Sequence, residues 1–144
     1  MNGGMSKLVV HATSLSLLVG TGWRGVLILG PSGIGKSDLA LRAMQAGCAL
    51  VSDDYSYLWS SGGHLYAGAP DTIAGRMEIR GIGITDAHRR EMTRVHLVAL
   101  AQSDPVERLP KGEVTPILGH DIATIRLNPR EASSVPKLLT RLRQ

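Results

Sequence analysis

Between Gly30 and Ser37 the chain reads G-P-S-G-I-G-K-S, which sets glycines, a lysine and a hydroxyl at the spacing of a phosphate-binding loop. A strand that ends in a glycine-rich turn and opens a helix aims several backbone N–H groups at one point, where the helix dipole adds partial positive charge. Polyphosphate is the occupant such a point selects. Gly30, Gly33 and Gly35 keep side chains away from the anion, and Pro31, Ser32 and Ile34 complete the loop. Lys36 can reach the β- and γ-phosphates and Ser37 can ligate Mg²⁺, so ATP and Mg²⁺ are the expected cofactors. The competing reading is a glycine-rich turn whose lysine is merely solvated. The flanks argue against it, because the branched apolar run Val26-Leu27-Ile28-Leu29 precedes the loop. After it, Asp38 to Gln45 carries helix formers with apolar residues at helical spacing.

A second cluster is Asp53-Asp54, at the end of the apolar run Ala49-Leu50-Val51-Ser52. An acidic pair at the end of the strand that follows a phosphate-loop helix falls beside the γ-phosphate in folds of this kind. One carboxylate can then touch the metal through water while the other accepts a proton from an incoming hydroxyl. The alternative is an exposed turn. Like charges side by side call for a nearby cation, and Mg²⁺ or Lys36 supplies one.

The elements that must position these groups read as a strand-rich α/β domain with few helices. Lys7 to His11 and Ser14 to Val19 pattern as strand, and Gly20-Thr21-Gly22 turns the chain into the strand that feeds the phosphate loop. The helix after the loop should end near Ala46-Gly47, with Gly47 as its left-handed cap. Tyr55 to Trp59 should pair with His64 to Ala67 across the turn Ser60-Ser61-Gly62-Gly63. Val95 to Ala101 and Ala123 to Leu127 read as strands, Gly112 to Pro116 as a polar connection, and Ser134 to Arg143 as a terminal helix. Met77 to Asp86 shows strand-like alternation interrupted by Gly81 and Gly83.

Composition bounds the remainder. The 144 residues suffice for one core without disulfides or metal staples, and Cys48 is the sole cysteine. No apolar stretch approaches the roughly 18 residues of a membrane span, so a cytoplasmic protein without membrane contact is expected. Residues 1–6 read as a flexible leader, with Met5 a plausible natural start, and 7–144 as a single domain. The formal net charge of +4 is spread along the chain, apart from His88-Arg89-Arg90 and Arg141-Leu142-Arg143. With no Phe and few aromatic rings to stack on bases, the charge points to ATP or an acidic partner protein rather than to nucleic acid.

Taken in order and spacing, G-P-S-G-I-G-K-S-D, V-S-D-D and M-E-I-R-G-I-G-I closely resemble the catalytic domain of bacterial HPr kinase/phosphorylase, from His11 to about Leu127. The resemblance implies the nucleotide-binding core shared with phosphoenolpyruvate carboxykinase. It implies a kinase that phosphorylates a serine of the phosphocarrier protein HPr and assembles into a hexamer. By the same resemblance Lys36 serves the phosphates, Ser37 and Glu78 the Mg²⁺, and His11 lies near the phosphoryl group, a structural histidine at a strand end being the alternative. Asp53 and Asp54 match the family's acidic pair. Either could take the serine proton, and spacing favours Asp54. Arg108, in V-E-R-L, matches an arginine assigned to catalysis, against the bland reading of an exposed loop arginine, and Arg80 lies inside the signature.

Two departures shape the expectation. The resemblance covers the family's catalytic domain and not its usual N-terminal domain, so a short form resembling alphaproteobacterial members is expected. The family's P-x-R-P-G-R segment, linked to the reverse phosphorolysis, would fall at Pro116 to Asp121, where no arginine stands. The forward kinase is therefore the expectation and the reverse activity the weaker one. A P-loop kinase of a small metabolite and a nucleotide-binding sensor without turnover are the alternatives.

Overall fold

The computed structural model describes residues 7–87 and 89–144. The expected leader at 1–6 and His88 of the basic cluster lie outside the described residues. Strands β1 (Lys7–Val10), β2 (Ala12–Val19) and β3 (Gly22–Leu29) lead into helix α1 (Lys36–Gln45) and strand β4 (Ala49–Ser52). Strands β5 (Ser56–Ser61), β6 (His64–Gly68), β7 (Arg76–Ile79), β8 (Gly83–Asp86) and β9 (Met92–Ala101) follow. The chain closes with β10 (Glu113–Ile117), β11 (His120–Leu127) and helix α2 (Ser134–Leu142). The result is the strand-rich α/β fold the pattern predicts.

Nine strands form one sheet in the order β1-β5-β6-β9-β3-β2-β4, with β11 added to β9 and β10 to β11. The long strand β9 is its hub. Residues 92–94 pair antiparallel with β6, 95–100 run parallel to β3, and 98–101 run parallel to β11. Because β3, β9 and β11 are parallel, the segments leaving their C-terminal ends emerge at the same edge. The phosphate loop is one of these segments.

The central strand is apolar without alternation because both its faces are covered. Val26 and Ile28 of β3 point into a core shared with Leu39, Ala40 and Ala43 of α1 and with Val135, Leu138, Leu139 and Leu142 of α2. Leu27 points the other way, into a cluster with Leu58, Leu65, Val95, Val98 and Ile122. The i, i+3, i+4, i+7 spacing of the buried residues on α2 makes it the amphipathic lid of the first core. Helix α1 ends as expected: the Gly47 N–H donates to Met44 O, the Cys48 N–H donates to Ala43 O, and Gly47 has a φ of 115°. That pairing satisfies carbonyls otherwise orphaned at a helix end and favours glycine at the positive φ.

Three segments differ from the sequence expectation. Gly112 to Pro116 is largely strand, since Glu113–Ile117 pairs with β11 in antiparallel register. Val114, Thr115 and Ile117 supply strand propensity, and Pro116 is tolerated because β10 pairs on one side alone. The β5–β6 turn is the pair Gly62-Gly63, both at positive φ, so Ser60 and Ser61 belong to the strand. Met77 to Asp86 folds back at Arg80 to Ile82 into a separate two-stranded sheet, β7 against β8.

Candidate functional site

A cleft of about 530 Å³ opens over the phosphate loop. Its lining includes His11, Ser32, Gly33, Gly35, Lys36, Ser37, Asp54, Glu78, Arg80 and Arg130. Three structural features build it. The first is the strand-to-helix turn itself. Gly35 precedes α1 at a φ of 111°, and among the described residues no side chain caps the helix N-terminus, so its first-turn N–H groups face the cleft without a side-chain acceptor among them. Four orphan donors at such an end, reinforced by the helix dipole, form an anion site.

Lys36 is the second feature. Its side chain is buried and bent back along the loop, donating to the carbonyls of Gly30 and of Pro31, the latter at 3.2 Å. Burial pulls the ammonium below its ordinary range, and the negative charges of Asp54 and Asp53 oppose that shift. A lysine held this way is a positive charge with little water around it, so a phosphate oxygen gains more from it than from a solvated amine.

The third feature separates the two aspartates. Asp53 follows β4, is buried, and its Oδ1 accepts from Ser37 Oγ at 2.8 Å and from Thr13 Oγ1 at 3.3 Å. The Asp54 N–H in turn donates to Thr13 Oγ1 at 3.3 Å, and the Tyr55 N–H to Asp53 O at 2.8 Å. That closes a tight turn centred on Asp54, whose φ is 70°. A non-glycine residue there is strained by an amount of order 1–3 kcal/mol, a conformation that persists where surrounding contacts over-determine it. The turn directs the Asp54 carboxylate into the cleft, where its Oδ1 lies 2.7 Å from His11 Nε2. The His11 ring in turn packs on Tyr55, with centroids 5.1 Å apart. One carboxylate is thus built into the phosphate-loop scaffold, and its neighbour stands exposed beside an imidazole.

Glu78 and Arg80 reach the cleft on the β7–β8 hairpin. Met77 is buried in the main core, the Ala87 N–H donates to Gly75 O across the hairpin base, and the Arg90 N–H donates to Leu50 O of β4. These ties hold the hairpin beside the strand that carries the aspartates. The donor set near the loop is hydroxyl and carboxylate oxygen from Ser37, Asp53 and Glu78, with no cluster of three His, Cys, Asp or Glu side chains among the described residues. Such a set suits Mg²⁺, which takes one or two protein oxygens together with substrate phosphates.

Arg108 is placed apart. It stands exposed on the segment leaving β9, at the same edge of the sheet as the phosphate loop, and does not line the cleft. Pro116 to Asp121 holds the paired ends of β10 and β11 and the turn Leu118-Gly119 between them, at the N-terminal end of β11 and so away from that edge. Conversely, the sequence reading missed Thr13, which ties both aspartates to β2, and Arg130, which lines the cleft from the turn after β11. The signal for Arg130 was Asn128-Pro129-Arg130 directly after a predicted strand, and it needed the parallel addition of β11 to β9 to acquire a place.

Comparison with known proteins points to one family. The chain is 37% identical over 131 residues to an HPr kinase/phosphorylase of Bordetella pertussis, the match covering 82% of this chain and 41% of that protein. It is 40% identical over 80 residues to an HPr kinase/phosphorylase of Clostridium botulinum, covering 56% of this chain and 26% of that one. The chain therefore spans about two fifths or less of the curated relatives it matches. Among solved structures, the HPr(Ser) kinase/phosphatase of Coxiella burnetii superposes with a TM-score of 0.77 at 28% identity, covering 94% of this chain and 87% of that one. The family profile described as HPr Serine kinase C-terminal domain matches residues 6–140, and the chain belongs to that family.

Proposed function

We propose that this domain transfers the γ-phosphoryl group of ATP to a serine hydroxyl of the phosphocarrier protein HPr. The observation that carries the reading is the division between the aspartates, Asp53 bonded to the phosphate-loop hydroxyl of Ser37 and Asp54 facing the cleft beside His11. Lys36 and the uncapped helix N-terminus neutralise the phosphates, and Ser37, Asp53 and Glu78 would hold Mg²⁺, which would supply further charge neutralisation. Asp54 accepts the serine proton as the serine oxygen bonds to the γ-phosphorus and the bond from that phosphorus to the bridging oxygen breaks, releasing ADP. His11, hydrogen-bonded to Asp54, orients that carboxylate. Arg80, on the opposite wall, balances charge at the transferring group. Arg108 serves transfer or grips HPr from the segment it occupies. Phosphoryl transfer is loose, so positioning and charge supply most of the rate.

A cytoplasmic setting and the hexameric assembly that the family resemblance implies go with this reading. Among the described residues no helix is long and apolar enough to cross a membrane. The test is incubation with Mg·ATP and the HPr of the same organism, read by intact mass. A gain of one phosphoryl group on HPr, absent with Lys36→Ala, is expected. ATP binding without any gain would move the function to another acceptor or to a sensor.

A further inference from the structure

The turn between β11 and α2 is fastened to the phosphate loop and to helix α1 behind it, and is braced by bonds of its own. Pro129 is buried and lies on Gly35, where an added Cβ would come within 3.3 Å of the Pro129 Cβ. Arg42 of α1 clamps the turn with two guanidinium nitrogens, and its third is held by a carboxylate of its own helix. Its Nη2 donates to Pro129 O, its Nη1 to Ser134 Oγ at 3.2 Å and its Nε to Asp38 Oδ2 at 3.1 Å. Ser134 Oγ, itself buried, donates to Glu131 O at 2.8 Å, and Asn128 Oδ1 accepts from the Arg130 N–H at 3.0 Å. The bonds to Pro129 O, to the Arg130 N–H and to Glu131 O fix the backbone at Arg130 and on either side of it.

What is held so firmly is an exposed guanidinium laid along the phosphate loop. Arg130 Nη2 lies 3.5 Å from Gly33 O, and its side chain lines the cleft together with Lys36 and Arg80. Among the described residues it makes no ion pair with a carboxylate, whereas the neighbouring Arg42 and Lys137 do. A long contact to one carbonyl leaves most of its donors free, and a planar fork of donors matches phosphate oxygens. We propose that Arg130 is a nucleotide-binding residue that grips the polyphosphate of the bound nucleotide from the flank of the loop opposite Lys36. Arg42 is its positioning residue. This rests on the nucleotide site proposed above and deepens it.

The experiment is titration of the full chain with Mg·ATP, Mg·ADP and AMP. Arg130→Gln should weaken ATP and ADP by about tenfold or more, leave AMP nearly unchanged and leave the melting temperature at the wild-type value. Arg130→Lys should recover part of the loss. Arg42→Gln should weaken ATP when Arg130 is present and add little in the Arg130→Gln background, the coupling expected of a residue acting through another. Wild-type affinity for ATP in Arg130→Gln, or equal losses for ATP and AMP, overturns the role of Arg130 while sparing the nucleotide site. Failure of the wild-type chain to bind ATP at all overturns both.

Discussion

The two walls of the cleft are made differently. The phosphate-loop wall grows out of β3, α1 and β4, whose Leu27, Ile28, Leu39, Leu50 and Val51 are fully buried. The opposite wall is the β7–β8 hairpin, a separate two-stranded sheet with Met77 buried and Ile82 and Ile84 about three-quarters exposed. A wall built from the core can hold charges against their desolvation cost, as it does with Lys36 and Asp53. A wall attached at its base can only present side chains such as Glu78 and Arg80. In the proposed function, phosphate recognition therefore rests on the first wall, and the second adds Glu78 to the metal ligands Ser37 and Asp53 and completes the enclosure.

That contrast can be broken in order of expected effect. Leu39→Ala, beneath the phosphate-loop helix, removes a fully buried side chain from the main core and should cost about 2–5 kcal/mol of global stability in urea unfolding. A cost under about 1 kcal/mol would mean the helix is not anchored as described. Met77→Ala should act locally instead. Amide hydrogen exchange should speed up over Arg76 to Asp86 while β3 stays protected, and uniform deprotection would show that both walls unfold as one unit.

The electrostatic part of the contrast is sharpened by pH. Because burial lowers the Lys36 pKa from 10.5, its ammonium is lost at a lower pH than that of a free lysine. Affinity for Mg·ATP should accordingly begin to fall below pH 10.5 as pH rises, with proton uptake on binding in that range, measurable by calorimetry in two buffers. No proton uptake would argue against a desolvated lysine at the phosphates. The smallest effect should be Ile82→Ser, at an exposed hairpin tip, which should change unfolding free energy by no more than about 0.5 kcal/mol.

The sequence was legible where structure is local. The phosphate loop, the helix after it and its Gly47 cap are set by neighbours in the chain, and so is strand β4, which ends at Ser52 just before the aspartates. It was not legible where placement depends on distant pairing. Strand β10 was hidden because Gly112 and Pro116 read as turn residues, and their tolerance follows from an edge position that the sequence does not display. Thr13 joins the aspartates across 40 residues, and Arg130 reaches the loop across 97, through strands whose parallel order no local pattern encodes. Asp53 and Asp54 are adjacent in sequence and alike in chemistry, so spacing favoured Asp54 without giving a physical difference, which came with the burial of Asp53 and the positive φ of Asp54.

The most direct test of the account is Asp54→Asn, measured both for Mg·ATP affinity and for single-turnover phosphoryl transfer to HPr. Affinity should stay within about threefold of wild type, since Asp53 and Lys36 carry the nucleotide side, while transfer should fall by about a hundredfold or more. Transfer at the wild-type rate would contradict the assignment of the exposed aspartate as the base.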